Sequence, residues 1–139
     1  MWKMKRSGLS ISEIASRLGI SRQAVHKGLQ AVEAKISRAL ISTAKASRIE
    51  IRRIDLERGF LVGYSPGLNV DVYVTFSYSN GVQIWFKHKG NCRECSLREN
   101  CKRIIVNEAK ERGIELPNVE SMEPSELAEI LFRKLEAGE

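Results

Sequence analysis

Cysteine is absent from most of this 139-residue chain; its three copies, Cys92, Cys95 and Cys101, lie within ten residues of one another. Such clustering excludes a distributed disulfide framework and points to metal or redox chemistry in a reducing compartment. No apolar run approaches the ~20 residues that cross a bilayer. The charged start Met1-Trp2-Lys3-Met4-Lys5-Arg6 has no apolar stretch behind it, so no secretory signal is expected and a cytoplasmic location follows. Acids are scarce at the N-terminal end. Residues 1–53 hold only Glu13, Glu33 and Glu50 against twelve Lys and Arg, a net charge of +9 within a chain total of +6. The basic excess is therefore entirely N-terminal, as suits a polyanionic partner, the plainer alternative being a solvated basic helix face. There is no phosphate loop and no paired-carboxylate constellation, and the two histidines, His26 and His88, fall in unrelated segments. No enzymatic activity is expected.

What is present begins with two helix starts in quick succession. In Leu9-Ser10-Ile11-Ser12-Glu13-Ile14, Ser10 can cap a helix, Glu13 completes a capping box, and Leu9 and Ile14 form the matching hydrophobic staple. Ile11, Ile14, Ala15 and Leu18 make one apolar stripe, and Gly19 supplies a left-handed stop. Ser21 then caps a second helix opening Arg22-Gln23-Ala24-Val25, with Ile20 stapling onto Val25. Two helices joined by a short turn containing glycine make a helix-turn-helix corner. The run from Leu9 to Val25 resembles the large bacterial and archaeal family of helix-turn-helix regulators, and within it the LuxR-type and archaeal Tfx-type versions.

The resemblance implies that the second helix enters the DNA major groove with its N-terminal residues facing base edges. Val25 and Leu29 point inward, which leaves Arg22, Gln23, His26 and Lys27 outward. Gln23 is suited to reading adenine and Arg22 to reading guanine or clamping a phosphate. His26 is a candidate for base or phosphate contact or a plain exposed histidine; Ser12, Arg17 and Ser21 are candidates for phosphate contact. Only Met1 to Ser7 precede the pair, under two turns, where the family usually has a full helix. Either the chain begins further upstream, or Trp2 and Met4 are covered by something else, such as a partner subunit.

Helical periodicity continues beyond the second helix. Val25, Leu29, Val32, Ile36, Ala39, Thr43 and Ala46 recur at heptad spacing, uninterrupted by Pro or Gly after Gly28, and predict one helix from Arg22 to about Ser47. The seam fits either homodimerisation or packing on the chain's own sheet, and half-site reading favours the dimer. From about Ile49 the period falls to two. Residues 49–54 are ambiguous, but 59–64, 70–78 and 82–87 read as strands, with a turn at Ser65-Pro66-Gly67. A three-residue Ser79-Asn80-Gly81 loop sets Tyr78, Phe76 and Val74 opposite Val82, Ile84 and Phe86, one apolar face with Gly81 left-handed. The other face, with Tyr73, Thr75, Ser77, Gln83, Trp85 and Lys87, is expected to be half-exposed or to bind a ligand or second subunit.

Residues 88–101 carry the cysteines as Cys-x2-Cys-x5-Cys. A helix from Lys102 to Arg112 is expected to start at Cys101, where a helix N-terminus favours the thiolate. Zinc needs four ligands, and His88 is a natural fourth beside Cys92, Cys95 and Cys101. The pattern is also similar to the tail of iron–sulfur cluster motifs in nucleic-acid enzymes and WhiB-like regulators, with His88, Glu94, Glu99 or a non-protein ligand completing the set. Zinc is slightly preferred, the iron–sulfur cluster stays open, and free or redox-active thiols are the remaining alternative. Gly113 ends that helix, and Pro124 opens a last one through about Leu135 with Leu127, Ile130, Leu131 and Leu135 as its stripe.

The expected fold class is α+β: an N-terminal helix-turn-helix with an extended helix over 1–48, then a small antiparallel sheet with C-terminal helices over 49–139. The expected function is a sequence-specific DNA-binding regulator that binds double-stranded DNA as a homodimer and carries a metal site. The alternative is an adaptor whose helix-turn-helix docks a protein.

Overall fold

The computed structural model describes residues 1–87 and 95–138. Three N-terminal helices, α1 (Trp2–Arg6), α2 (Ile11–Leu18) and α3 (Arg22–Ala46), lead into strands β1 (Glu50–Asp55), β2 (Phe60–Ser65), β3 (Val70–Ser77) and β4 (Gly81–Phe86). Helices α4 (Arg98–Glu111) and α5 (Pro124–Ala137) complete the chain. The fold class is α+β, as the sequence reads. The strands form one antiparallel sheet in the order β1-β2-β3-β4.

Strict alternation along the strands builds two cores, because successive side chains point to opposite faces. On one face Leu61, Val72 and Val74 meet Ile36, Leu40 and Ala44 of α3, together with Trp2 and Ile49. On the other, Phe60 packs with Ile105 and Ala109 of α4 and Leu127, Leu131, Phe132 and Leu135 of α5, and Tyr73 and Trp85 close the cluster. Tyr73 stacks on Phe132 at 4.2 Å between ring centroids. Burying side chains of this size is worth about 1.5–3 kcal/mol each, so both helical layers are integral to the sheet.

The structure departs from the sequence pattern in several places. The heptad seam does not stay on one line. Val25, Leu29 and Ile36 are buried as expected, but the buried face then moves to Leu40 and Ala44, while Ala46 is exposed. An α-helix repeats every 3.6 residues and drifts off a 3.5-residue seam unless a supercoiled partner holds it there. The chain's own sheet covers this face instead. It also covers Trp2, whose indole meets Phe76 edge-on at 5.3 Å, so no partner subunit is needed there. Gly59 permits that approach. It has φ +70, and a Cβ on it would lie 2.9 Å from the Trp2 ring.

The β3–β4 pairing is displaced by two residues from the expected register. Phe76 pairs with Val82, Val74 with Ile84 and Val72 with Phe86, around a loop of Tyr78, Ser79 and Asn80. A shift of two preserves parity, so the expected apolar set still shares one face. The loop forms earlier because its amides have other partners. Glu111 accepts hydrogen bonds from Tyr78 N–H (2.6 Å) and Ser79 N–H (3.1 Å), and Ser77 Oγ accepts one from Asn80 N–H (3.0 Å). Gly81 is left-handed as read, with φ +69.

The face of Tyr73, Thr75 and Trp85 packs under α4 and α5, which bury Thr75 but leave Tyr73 and Trp85 half-buried in the wall of a cavity of about 710 Å³. Its polar groups are paired beneath them. Trp85 Nε1–H donates to Thr75 Oγ1 (3.0 Å), Thr75 Oγ1–H donates to Glu108 Oε1 (2.9 Å), and Arg112 Nε–H donates to Glu108 Oε2 (3.0 Å). Finally, α4 starts at Arg98 rather than after Cys101, and the ambiguous segment 49–54 is a strand with a bulge between Ile51 and Arg53. That bulge and its exposed Arg52 and Arg53 guard the sheet edge against pairing with another chain.

Candidate nucleic-acid interface

The geometry at the N-terminus follows from two caps. Ser10 Oγ accepts from Glu13 N–H and Ser21 Oγ accepts from Ala24 N–H, both at 3.1 Å, each meeting one of the orphan donors of a helix start. Gly19, with φ +66, stops α2 so that the chain turns sharply into α3. Ile14, Ala15, Val25 and Leu29 then form a small buried core of their own, closed by Met1, Met4, Leu9 and Ile11. Ile20, expected to staple this core, stays exposed, while Met1 and Met4 pack against it from the N-terminal side.

α3 therefore serves two cores along its length. Its first two turns belong to the helical corner, and from Ile36 onward it lies on the sheet. This anchors a long rigid helix at one end and presents its N-terminal turns outward.

Arg22, Gln23, His26 and Lys27 are all exposed on those turns. Their spacing of i, i+1, i+4 and i+5 places them in two adjacent rows on the helix surface. Ser12 and Arg17 on α2 and Ser21 at the cap of α3 are exposed as well. Among the described residues, none forms an ion pair with Arg17, Arg22 or Lys27. Arg17, Arg22 and Lys27, with Ser12, Gln23 and His26, are thus exposed on these two helices, while Ser21 Oγ caps α3.

A family model described as an HTH domain matches residues 1–65. The N-terminal unit is a helix-turn-helix. The match runs from α1 to the end of β2, just under half of the chain, and supports a DNA-binding transcription regulator. No curated protein and no solved structure matches the chain.

The expected metal ligands divide. His88 and Cys92 lie outside the described residues. Cys95 is exposed just ahead of α4 and Cys101 is half-buried on its first turns, with its N–H donating to Leu97 O at 2.8 Å. Both border one cavity of about 710 Å³, whose wall includes Trp85 and Phe132. Among the described residues, no set of three or more His, Cys, Asp or Glu is gathered that could hold a metal ion. No helix among them is long and apolar enough to cross a membrane.

One buried constellation has almost no signal in the sequence. Arg6, on α1, is buried against the rings of Trp2 (4.5 Å) and approaches Glu111 of α4 at 3.6 Å. Arg112, two per cent exposed, pairs with Glu108 and donates to the backbone carbonyls of Arg58 and Phe76. This buried network joins the first helix of the helix-turn-helix to the C-terminal half. The one available signal was Trp2, a large aromatic standing in a basic segment too short to bury it alone.

Proposed function

We propose that this chain is a transcription regulator that reads duplex DNA by laying the first turns of α3 in the major groove. Gln23 reads an adenine edge, Arg22 a guanine or a phosphate, and His26 and Lys27 contact the base edges or backbone alongside them. Ser12, Arg17 and Ser21 fix the register on phosphates. The observation that carries this reading is the exposed, unpaired polar row on a doubly capped, firmly anchored α3, within a segment that matches the HTH domain. Titrating the protein into labelled duplex across salt concentrations tests it. Affinity should fall steeply with salt, and Arg22→Ala and Lys27→Ala should each reduce the slope by about one. Salt-independent binding, as at a protein-docking surface, contradicts it.

The regulator acts as a homodimer, since two copies related by a two-fold axis read two half-sites and gain affinity. The sheet-covered face of α3 is not available for this, so the dimer uses another surface. Cys92, Cys95 and Cys101, with His88 as the fourth ligand, hold a zinc ion or an iron–sulfur cluster; Cys95 and Cys101 beside one cavity support this pairing of thiolates. Zinc there ties the end of the sheet to α4, whereas a cluster supplies redox or iron sensing. Anaerobically purified protein should contain stoichiometric zinc or iron, and Cys95→Ser should lose it. Protein devoid of both metals, with Cys95→Ser no different, retires the site.

A further inference from the structure

The sheet has two outer edges, β1 and β4, and the sequence treats them differently. β1 carries Glu50, Arg52 and Arg53 exposed and is bent by the bulge between Ile51 and Arg53. Charges and bulges are devices that keep an edge from pairing with another chain. β4 has neither. From Gly81 to Phe86 it holds no charge and no proline, and its pairing with β3 runs without a bulge. Among the described residues, no strand covers its outer side.

The backbone groups that β4 leaves open follow from its register. Lys87 N–H donates to Asp71 O at 2.9 Å, so these two residues form a hydrogen-bonded pair. Bonded and non-bonded pairs alternate along an antiparallel ladder. Gln83 and Trp85 therefore turn their N–H and C=O groups towards Thr75 and Tyr73, while Val82, Ile84 and Phe86 turn theirs outward. The side chains of the same three residues pack against the α3 core and remain half-buried at its margin. A row of open backbone donors and acceptors thus coincides with an apolar rim.

We infer that β4 pairs antiparallel with β4 of a second copy of this chain, about a two-fold axis at Ile84. This rests on the homodimer reading and names its surface. Ile84 lies opposite Ile84 of the partner subunit, and Val82 opposite Phe86 of the partner subunit. Both members of each pair face outward, so each pair exchanges both N–H···O bonds. The register keeps parity: Val82, Ile84 and Phe86 of the two copies continue one apolar layer, with β-branched side chains against aromatic ones. Charge sets the partner and the direction. A β1 edge would bring Arg52, Arg53 and the bulge. Parallel pairing would set Lys87 beside its own copy, whereas antiparallel pairing sends the two lysines to opposite ends. The axis stands perpendicular to the sheet, so both α3 helices lie on the same side of it, as reading two half-sites requires.

Sedimentation of the full chain over a range of concentrations, without DNA, measures self-association, and amide exchange resolved by residue locates it. Where the dimer forms, the amides of Val82, Ile84 and Phe86 should be protected, and dilution to monomer should release them. Those of Gln83, Trp85 and Lys87, bonded to β3, should stay protected throughout. Val82→Pro removes an outward donor and no bond to β3, and should weaken self-association at least about tenfold. A dimer whose three outward amides exchange freely, protection that persists in the monomer, or equal association in Val82→Pro overturns this interface and leaves the homodimer reading standing. A chain that is monomeric at every concentration overturns both. Should Val82→Pro not fold, the exchange pattern of the parent chain decides.

Discussion

Gln23 occupies the first turn of α3, exposed, with the Ser21 cap just before it and Val25 holding the turn inward. A paired hydrogen bond from its amide to adenine is a contact that only the correct base completes. Gln23→Ala should therefore weaken binding to the preferred site by roughly 1–3 kcal/mol while leaving binding to random duplex nearly unchanged. Fluorescence anisotropy with both duplexes measures this, and equal losses on the two would remove Gln23 from sequence reading. Glu111 carries a different prediction. Burial raises its pKa, but the N–H groups of Tyr78 and Ser79, the Ser79 hydroxyl and Arg6 outweigh burial and hold the carboxyl below its ordinary 4.5. A depressed folded pKa stabilises the fold above the unfolded value and loses that contribution as pH falls through the folded one. Glu111→Gln should thus be less stable than the parent at neutral pH, with the gap closing below about pH 4.5. Denaturant unfolding at both pH values checks it; a gap that widens in acid would be the wrong sign.

Among the elements, α2 and α3 were legible in the sequence because their signals are local. Ser10, Gly19 and Ser21 act within four residues of themselves, and the structure uses each as its chemistry suggests. The strands were legible through their period of two, and parity survived even where the register moved. What failed was long-range. No local pattern says that Glu111, more than thirty residues away, takes the amides of Tyr78 and Ser79 and reshapes the hairpin. Nor can a heptad seam disclose whether a second copy or the chain's own sheet covers it. Phe132, outside the expected stripe of α5, stacks on Tyr73 because α5 lies across the sheet. The covered seam makes a prediction at this scale. Leu40 is fully buried between α3 and the sheet, so Leu40→Ala should cost about 2–5 kcal/mol of folding stability. Denaturation that depends on protein concentration, with little loss within each chain, would instead mean that α3 is held by a second copy.

For the molecule as a whole, charge and construction agree. Residues 1–53 carry the entire positive excess, and the uncommitted cations Arg17, Arg22 and Lys27 stand together on the helix-turn-helix. The C-terminal half contributes the opposite layer of the sheet and a buried ionic network reaching back to α1. The central claim, that this head reads sequence, is tested most directly by selecting bound duplexes from a random pool and comparing affinities at physiological salt. The account predicts a recovered motif, bound at least about a thousandfold more tightly than random duplex. Failure to enrich any sequence, or equal affinity for selected and random duplex, would contradict it.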